Sequence, residues 1–206
     1  MVFRRLRKHL EEHHRIPFNL LGFRPKLSTK YILLALYEEV IKEPSASQLR
    51  AIVAADLQKA FDNVTHEAIL HDLAKTNCGT AVYNNTLQFL QSRTLSIQIY
   101  DYQSQENRHP LKGIPQEAVI SPTLFTLPTL KIHRALKDIK RLLYLLYADD
   151  DNLWVTQWSH GQIQDTPQEA LDTLQTVAAG IGLCAALKCL ASCQYIPQDG
   201  IHPRYI

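Results

Sequence analysis

Three carboxylates stand where apolar runs break off. Asp56 follows Ala51-Ile52-Val53-Ala54-Ala55, and Asp149 and Asp150 follow Leu142-Leu143-Tyr144-Leu145-Leu146-Tyr147. Short apolar runs of this kind read as buried strands. Carboxylates beside buried strands repel one another and are costly to desolvate. If the two strands are neighbours, their ends form an acidic pocket that needs cations. Hard divalent ions with oxygen ligands satisfy such a pocket, magnesium being the usual one where phosphates also bind. Two ions about 3.5–4 Å apart activate an attacking hydroxyl and stabilise a leaving oxygen, which is the chemistry of nucleotidyl transfer. Taken alone, Asp149-Asp150-Asp151 also reads as a solvated turn, since Asp favours turns.

The elements that must position these groups follow from periodicity. Phe3 to about His13 reads as an amphipathic helix with Arg4, Arg5, Arg7 and Lys8 on a basic face. That face could meet a phosphate backbone or simply be solvated. Lys131, Arg134, Lys137, Lys140 and Arg141 carry the same two readings. Ser28 or Thr29 caps the next helix, with Ile32, Leu33, Leu36 and Val40 on its buried stripe and Pro44 ending it. The first strand closes on Asp56. Helices follow from Thr65 to near Gly79 and from Thr80 to about Gln91, then a half-buried alternating strand over Thr94 to Tyr100. Val119 to Leu136 is mostly apolar, with Pro122 suited to a first turn and Pro128 to a kink. Leu142–Tyr147 pairs with Asn152–Gln157 as a hairpin whose turn holds Ala148 to Asp151. A helix from Pro167 to about Ala179 and a strand near Leu190 to Tyr195 complete the pattern. Strands and helices mix without strict alternation, so the fold class is α+β.

Composition sets bounds rather than answers. With 206 residues the chain can bury a sizeable core. Its net charge of +2 does not demand a nucleic-acid partner, which must be argued from local clusters. Seven glycines leave no glycine-rich phosphate loop. No apolar run reaches the roughly 18 residues of a membrane span. The basic start lacks a signal-peptide core, so an intracellular chain without membrane contact is expected. Cys184, Cys189 and Cys193 with His202 raise the thought of zinc, but no pair has zinc-knuckle spacing, and reduced thiols are the default.

Five stretches, in order, resemble one family: the reverse transcriptases of non-LTR, LINE-type retrotransposons. Gly22-Phe23-Arg24-Pro25-Lys26-Leu27-Ser28-Thr29 is similar to its GFRPxxST motif, and Asp56-Leu57-Gln58-Lys59-Ala60-Phe61-Asp62-Asn63-Val64-Thr65-His66 to its DLxKAFDxVxH motif A. Gly113-Ile114-Pro115-Gln116, with Val119-Ile120-Ser121-Pro122-Thr123-Leu124-Phe125, is similar to its GxPQGSVLSPxLF motif B. Tyr147-Ala148-Asp149-Asp150 matches motif C, and Gly182-Leu183 with Lys188 resembles motif D.

The resemblance implies a palm, an antiparallel sheet packed on helices, over residues 49–196. Partial fingers would occupy 1–48 and a tail 197–206, with the thumb missing. It implies RNA-directed DNA polymerase activity with an RNA template, a DNA primer and dNTPs, and two Mg2+ ions, Mn2+ being the alternative. Asp56 and Asp149 would ligate both ions, Leu57 would offer its carbonyl, and Asp150 would lie beside them near the primer end. Phe61 would crowd a ribose 2′-hydroxyl, a role compatible with a core position. Gln116 would line the nucleotide and template pocket. Lys188 would approach the triphosphate unless it is an ordinary surface lysine. Arg24 would contact nucleotide or template.

The match has breaks. Glu117 stands where the family has Gly, adding a charge that faces phosphates if it points inward. Asp151 stands where an apolar residue is usual, Thr126 where Asn is, and Cys189 where Thr or Ser is. These breaks, with the expected lack of a thumb, support a second reading: a catalytically dead remnant that keeps the palm and at most binds nucleic acid. A metal-dependent nuclease is a third class, but its carboxylates need neither the KAFD aromatic nor the PQ–SP segment.

Overall fold

The computed structural model describes residues 2–42, 49–91, 93–96, 98–105, 107–108, 111–157 and 160–194. Pro44, His202 and the expected tail lie outside them. Contacts gather the chain into two units: Met1–Ile16 with Phe61–Pro128, and Pro17–Ala60 with Thr129–Ile206. Among the described residues no helix is long and apolar enough to cross a membrane.

The second unit is built on an antiparallel sheet. Its strands are β1 (Leu49–Gln58), β6 (Leu143–Tyr147), β7 (Asp150–Gln157) and β8 (Cys184–Gln194), in the order β6-β7-β1-β8. Alternation along β1 buries Ala51, Val53, Ala55 and Leu57, as a strand with one packed face requires. The long helix α7 (His160–Gly180) lies against β1, β7 and β8. Its buried stripe of Ile163, Ala170, Leu174 and Ala178 has helical spacing. That stripe begins ahead of Pro167, so the helix starts seven residues before the expected Pro167 boundary. A first-turn Pro is a common helix signal, yet here tertiary burial carries the helix through it.

Two further boundaries move. β1 runs past Asp56 to Gln58, so Asp56 lies inside the strand rather than at its end. β8 begins at Cys184, not near Leu190, and so includes Lys188. Cys184-Ala185-Ala186-Leu187-Lys188 is rich in good helix formers, and pairing with β1 overrides that preference. Helix α2 (Lys30–Leu36) continues as a π-turn over Tyr37–Ile41. Ile32 and Val40 are buried as expected, but Leu33 is 66% exposed. Thr29 stands at the N-cap in helical geometry, and its side chain makes no capping bond.

The first unit is mainly helical. Its helices are α1 (Val2–Glu12), α3 (Ala60–Asn63), α4 (His66–Lys75) and α5 (Thr80–Gln91). Leu6 and Leu10 of α1 are fully buried while Arg4, Arg5 and Lys8 are exposed. Thr65 caps α4 by accepting from Ala68 N–H at 3.3 Å. The expected half-buried strand over Thr94–Tyr100 is instead two short pairs, β2 (Thr94–Leu95) with β5 (Asn107–Arg108) and β3 (Gln98–Ile99) with β4 (Tyr102–Gln103). Ile99, Tyr100 and Tyr102 are all exposed there. Helix α6 (Ser121–Leu136) carries Pro122 in its first turn and Pro128 within its length. Thr126, where the family has Asn, turns its hydroxyl onto Pro122 O at 2.9 Å.

Candidate metal and nucleotide site

The register of the sheet sorts the acidic residues by face. Asp56 pairs with Asp150, and Asp150 with Tyr147, while Asp151 pairs with Ala55 and with Leu146. Successive strand residues point to opposite faces. Asp56 and Asp150 therefore share the more open face. Asp151 shares the buried one, with Ala55, Leu146 and Asp151 each 1% exposed.

On the open face one cation holds two of the acids. Lys188 Nζ lies 2.8 Å from Asp56 Oδ1 and 2.7 Å from Asp150 Oδ1. It reaches them from a β-bulge: Ala55 pairs with Leu187 and Ala54 with Cys189, leaving Lys188 no partner residue on β1. Hydrogen bonds to Asp150 and then Asp56 raise the lysine pKa above its ordinary value. Such a half-exposed ion pair contributes only about 0–1 kcal/mol to stability. Its weight lies in which oxygens it occupies.

Asp149 sits in the two-residue turn between β6 and β7, and its carbonyl accepts from Leu57 N–H at 2.8 Å. The turn is thereby pinned to β1 beside Asp56. It is held from the other side by the segment ahead of α2. Leu21 N–H donates to Leu146 O and Leu146 N–H to Asn19 O, both at 2.8 Å, and Asn19 Nδ2 donates to Tyr144 O at 2.9 Å. This brings Gly22 against the turn, where an added Cβ would lie 2.3 Å from Ala148 N. Only glycine permits that approach. Gly22 was legible as a motif residue, but its contact with motif C was not. Arg24 donates to Pro17 O at 3.2 Å and Leu20 O at 3.5 Å, bracing this same loop.

Donor chemistry fits divalent cations in part. Asp56 and Asp150 already converge on one positive charge, and carboxylate oxygens suit magnesium. Among the described residues, however, no group of three or more ligating side chains is closed.

The burial of Asp151 is what sequence reading missed. The sequence marks it as a break from the usual apolar residue where the turn meets the return strand. It lies on β7, fully buried, with Oδ2 lacking a hydrogen-bond partner. Burial first, then the charges of Asp150, Asp149 and Asp56, push its carboxyl well above the usual range. The usual apolar residue at this point was the available signal, because an inward strand position excludes charge.

In the first unit motif A and motif B clamp together through backbone. Gly113 N–H donates to Val64 O and Ile114 N–H to Phe61 O, both at 2.7 Å. The buried His66 ring has Nε2 2.7 Å from Gly113 O. Gly113 has φ +82 and its Cβ would stand 2.7 Å from Asp62 O, so glycine is needed there too. Phe61 stacks on Phe125 with ring centroids 5.0 Å apart. Gln116 and Glu117 are exposed. In the second unit Arg134, Lys137, Lys140 and Arg141 are exposed. Burial, then Lys137 and Arg134, lower the pKa of His133, whose Nδ1 meets Tyr144 Oη at 2.9 Å.

Comparison with known proteins identifies the family. The family described as reverse transcriptase (RNA-dependent DNA polymerase) matches residues 1–192. A probable RNA-directed DNA polymerase from transposon BS of Drosophila melanogaster is 26% identical over 181 residues, 84% of this chain. The chain spans 19% of that relative's length. Two structures of telomerase from Candida tropicalis share the fold. The apo form truncated from its C-terminal domain has TM-score 0.64 at 12% identity, covering 98% of this chain and 42% of that one. The form in complex with a fragment of telomeric RNA has TM-score 0.67 at 11% identity, covering 97% and 34%. A family match over residues 1–192, nearly the whole chain, shows that the chain belongs to the reverse transcriptase (RNA-dependent DNA polymerase) family.

Proposed function

We propose that the chain is the palm of a non-LTR retrotransposon polymerase and supports RNA-directed DNA synthesis, with an RNA template, a DNA primer and dNTPs as partners inside the cell. The observation that carries this reading is the convergence of Asp56 and Asp150, from adjacent strands, on a single cation. Asp56, Asp149 and Asp150, with the Leu57 carbonyl, are the groups that would hold two Mg2+ or Mn2+ ions. Ions held there would activate the primer 3′-hydroxyl and stabilise the leaving oxygen of the triphosphate. The β6–β7 turn, pinned through Leu57 and Gly22, fixes where Asp149 can stand. Lys188 supplies a cation, and a proton, to the triphosphate once it leaves the acids. The resemblance assigns Phe61 to excluding a 2′-hydroxyl, Gln116 to the base pocket and Arg24 to nucleotide or template. The loop-bracing bonds of Arg24 favour an indirect role for it.

One observation favours a second reading, a domain that keeps the fold without synthesis: the buried carboxyl of Asp151, its Oδ2 without a hydrogen-bond partner, directly after Asp149-Asp150. Magnesium-dependent dNTP incorporation on a primed RNA template separates the two. The parent should extend the primer and Asp149→Ala should not. Absence of extension by the parent and by Asp151→Val and Glu117→Gly alike would establish the second reading.

A further inference from the structure

We propose that Lys188 is a built-in counter-ion that competes with divalent metal, so that metal loading and release of the lysine ammonium are one coupled event. This rests on the metal-site reading above and adds an antagonist to it.

The geometry is specific. A lysine on a regular edge strand would be set by its partner on β1, but Lys188 has none, because the register slips by one between Ala54 and Ala55. A bulge re-aims the side chain it carries. Here the ammonium lies within 2.8 Å of one oxygen from each acid, Asp56 Oδ1 and Asp150 Oδ1. Those acids sit on neighbouring strands in register, so without a cation between them they repel. The ammonium satisfies that need with no metal present. It also occupies one oxygen of each acid, Asp56 Oδ1 and Asp150 Oδ1, where an ion bridging the two acids would bind. An ammonium and a divalent ion sharing one carboxylate oxygen would face each other across a short gap at high cost. Metal binding must therefore displace Lys188. The displaced ammonium stays tethered to β8, beside a site that handles a triphosphate. With the lysine in place one positive charge partly offsets two carboxylates, and its displacement frees a cation where an anion arrives.

Mn2+ alone serves as the probe, its free fraction followed by electron paramagnetic resonance in the absence of nucleotide and nucleic acid. Lys188→Met removes the competing charge while keeping the length of the side chain, and should bind Mn2+ about tenfold more tightly than the parent. Lys188→Arg keeps the charge and should stay near the parent. Asp56→Asn should bind weakly or not at all. Equal affinity of the parent and Lys188→Met, with Asp56→Asn impaired, overturns the counter-ion role and leaves the metal site standing. Parent-like binding by Asp56→Asn, or none by Lys188→Met, overturns the metal site itself and the competition with it. Because Lys188 is half exposed, the Met variant is expected to fold, and circular dichroism of each variant checks that.

Discussion

Glu117 and Asp151 are both acids at positions where the family has a small or an apolar residue, yet the protein treats them oppositely. Glu117 lies in an exposed stretch that includes Val119 at 92% exposure, with water free to solvate the carboxylate. Asp151 lies at 1% exposure on the packed face of the sheet, one residue from the acids of the open face. A solvated acid alters what can bind; a buried one alters whether the sheet is stable. From sequence the Glu117 change looked the worse of the two, because it faces phosphate chemistry. The structure shifts the larger energetic burden to Asp151, since burying a polar group without a partner costs about 1–3 kcal/mol.

That contrast can be broken or sharpened by substitution, and the largest effect should come where the sheet is tightest. Gly22→Ala places a Cβ 2.3 Å from Ala148 N, so either the loop or the motif C turn must move. A loss of about 3 kcal/mol in urea unfolding is expected. A loss under about 0.5 kcal/mol would show that the motif C turn yields freely to the added methyl. Asp151→Val, which restores an apolar residue at a buried position, should gain about 1–3 kcal/mol near neutral pH in the same measurement.

The pH dependence sharpens the second case. The raised Asp151 carboxyl means that, as pH climbs past the unfolded value of about 3.9, the unfolded chain releases its proton while the folded chain retains it. Stability should therefore fall with rising pH, from just above that value up to the folded pKa. In metal-free buffer Asp151→Val should remove this fall, so its advantage should shrink toward pH 4 or below. An advantage independent of pH would mean the gain is packing alone. The smallest effect belongs to the loop: Glu117→Gln should change stability by less than about 0.5 kcal/mol. Primer extension is where Glu117→Gly should show its consequence, and a stability change above 1 kcal/mol for Glu117→Gln would erase the contrast.

Much of this was legible beforehand for identifiable reasons. Helix α5 falls at the expected Thr80–Gln91, and α4 follows its Thr65 cap, because capping and helical spacing are local signals. The β6–β7 hairpin was visible in two apolar runs around a polar turn. Boundaries failed where a non-local partner decides. β8 begins among helix formers because β1 pairs with them, and α7 starts ahead of Pro167 because its buried stripe does. Leu33, read as buried, is exposed, since apolar periodicity cannot say which residues of a stripe find a partner.

The amino-acid sequence by itself determined the family, the order of its motifs and the residue types suited to cations and phosphates, because these are properties of residue identity and spacing. Only the tertiary structure decided which face each acid takes. Pairing in register sends Asp56 and Asp150 outward to Lys188 and Asp151 inward, and a single bulge in β8 aims the lysine. A strand reverses its side chains at every residue, so the fate of neighbouring acids depends on a register that only the assembled sheet sets.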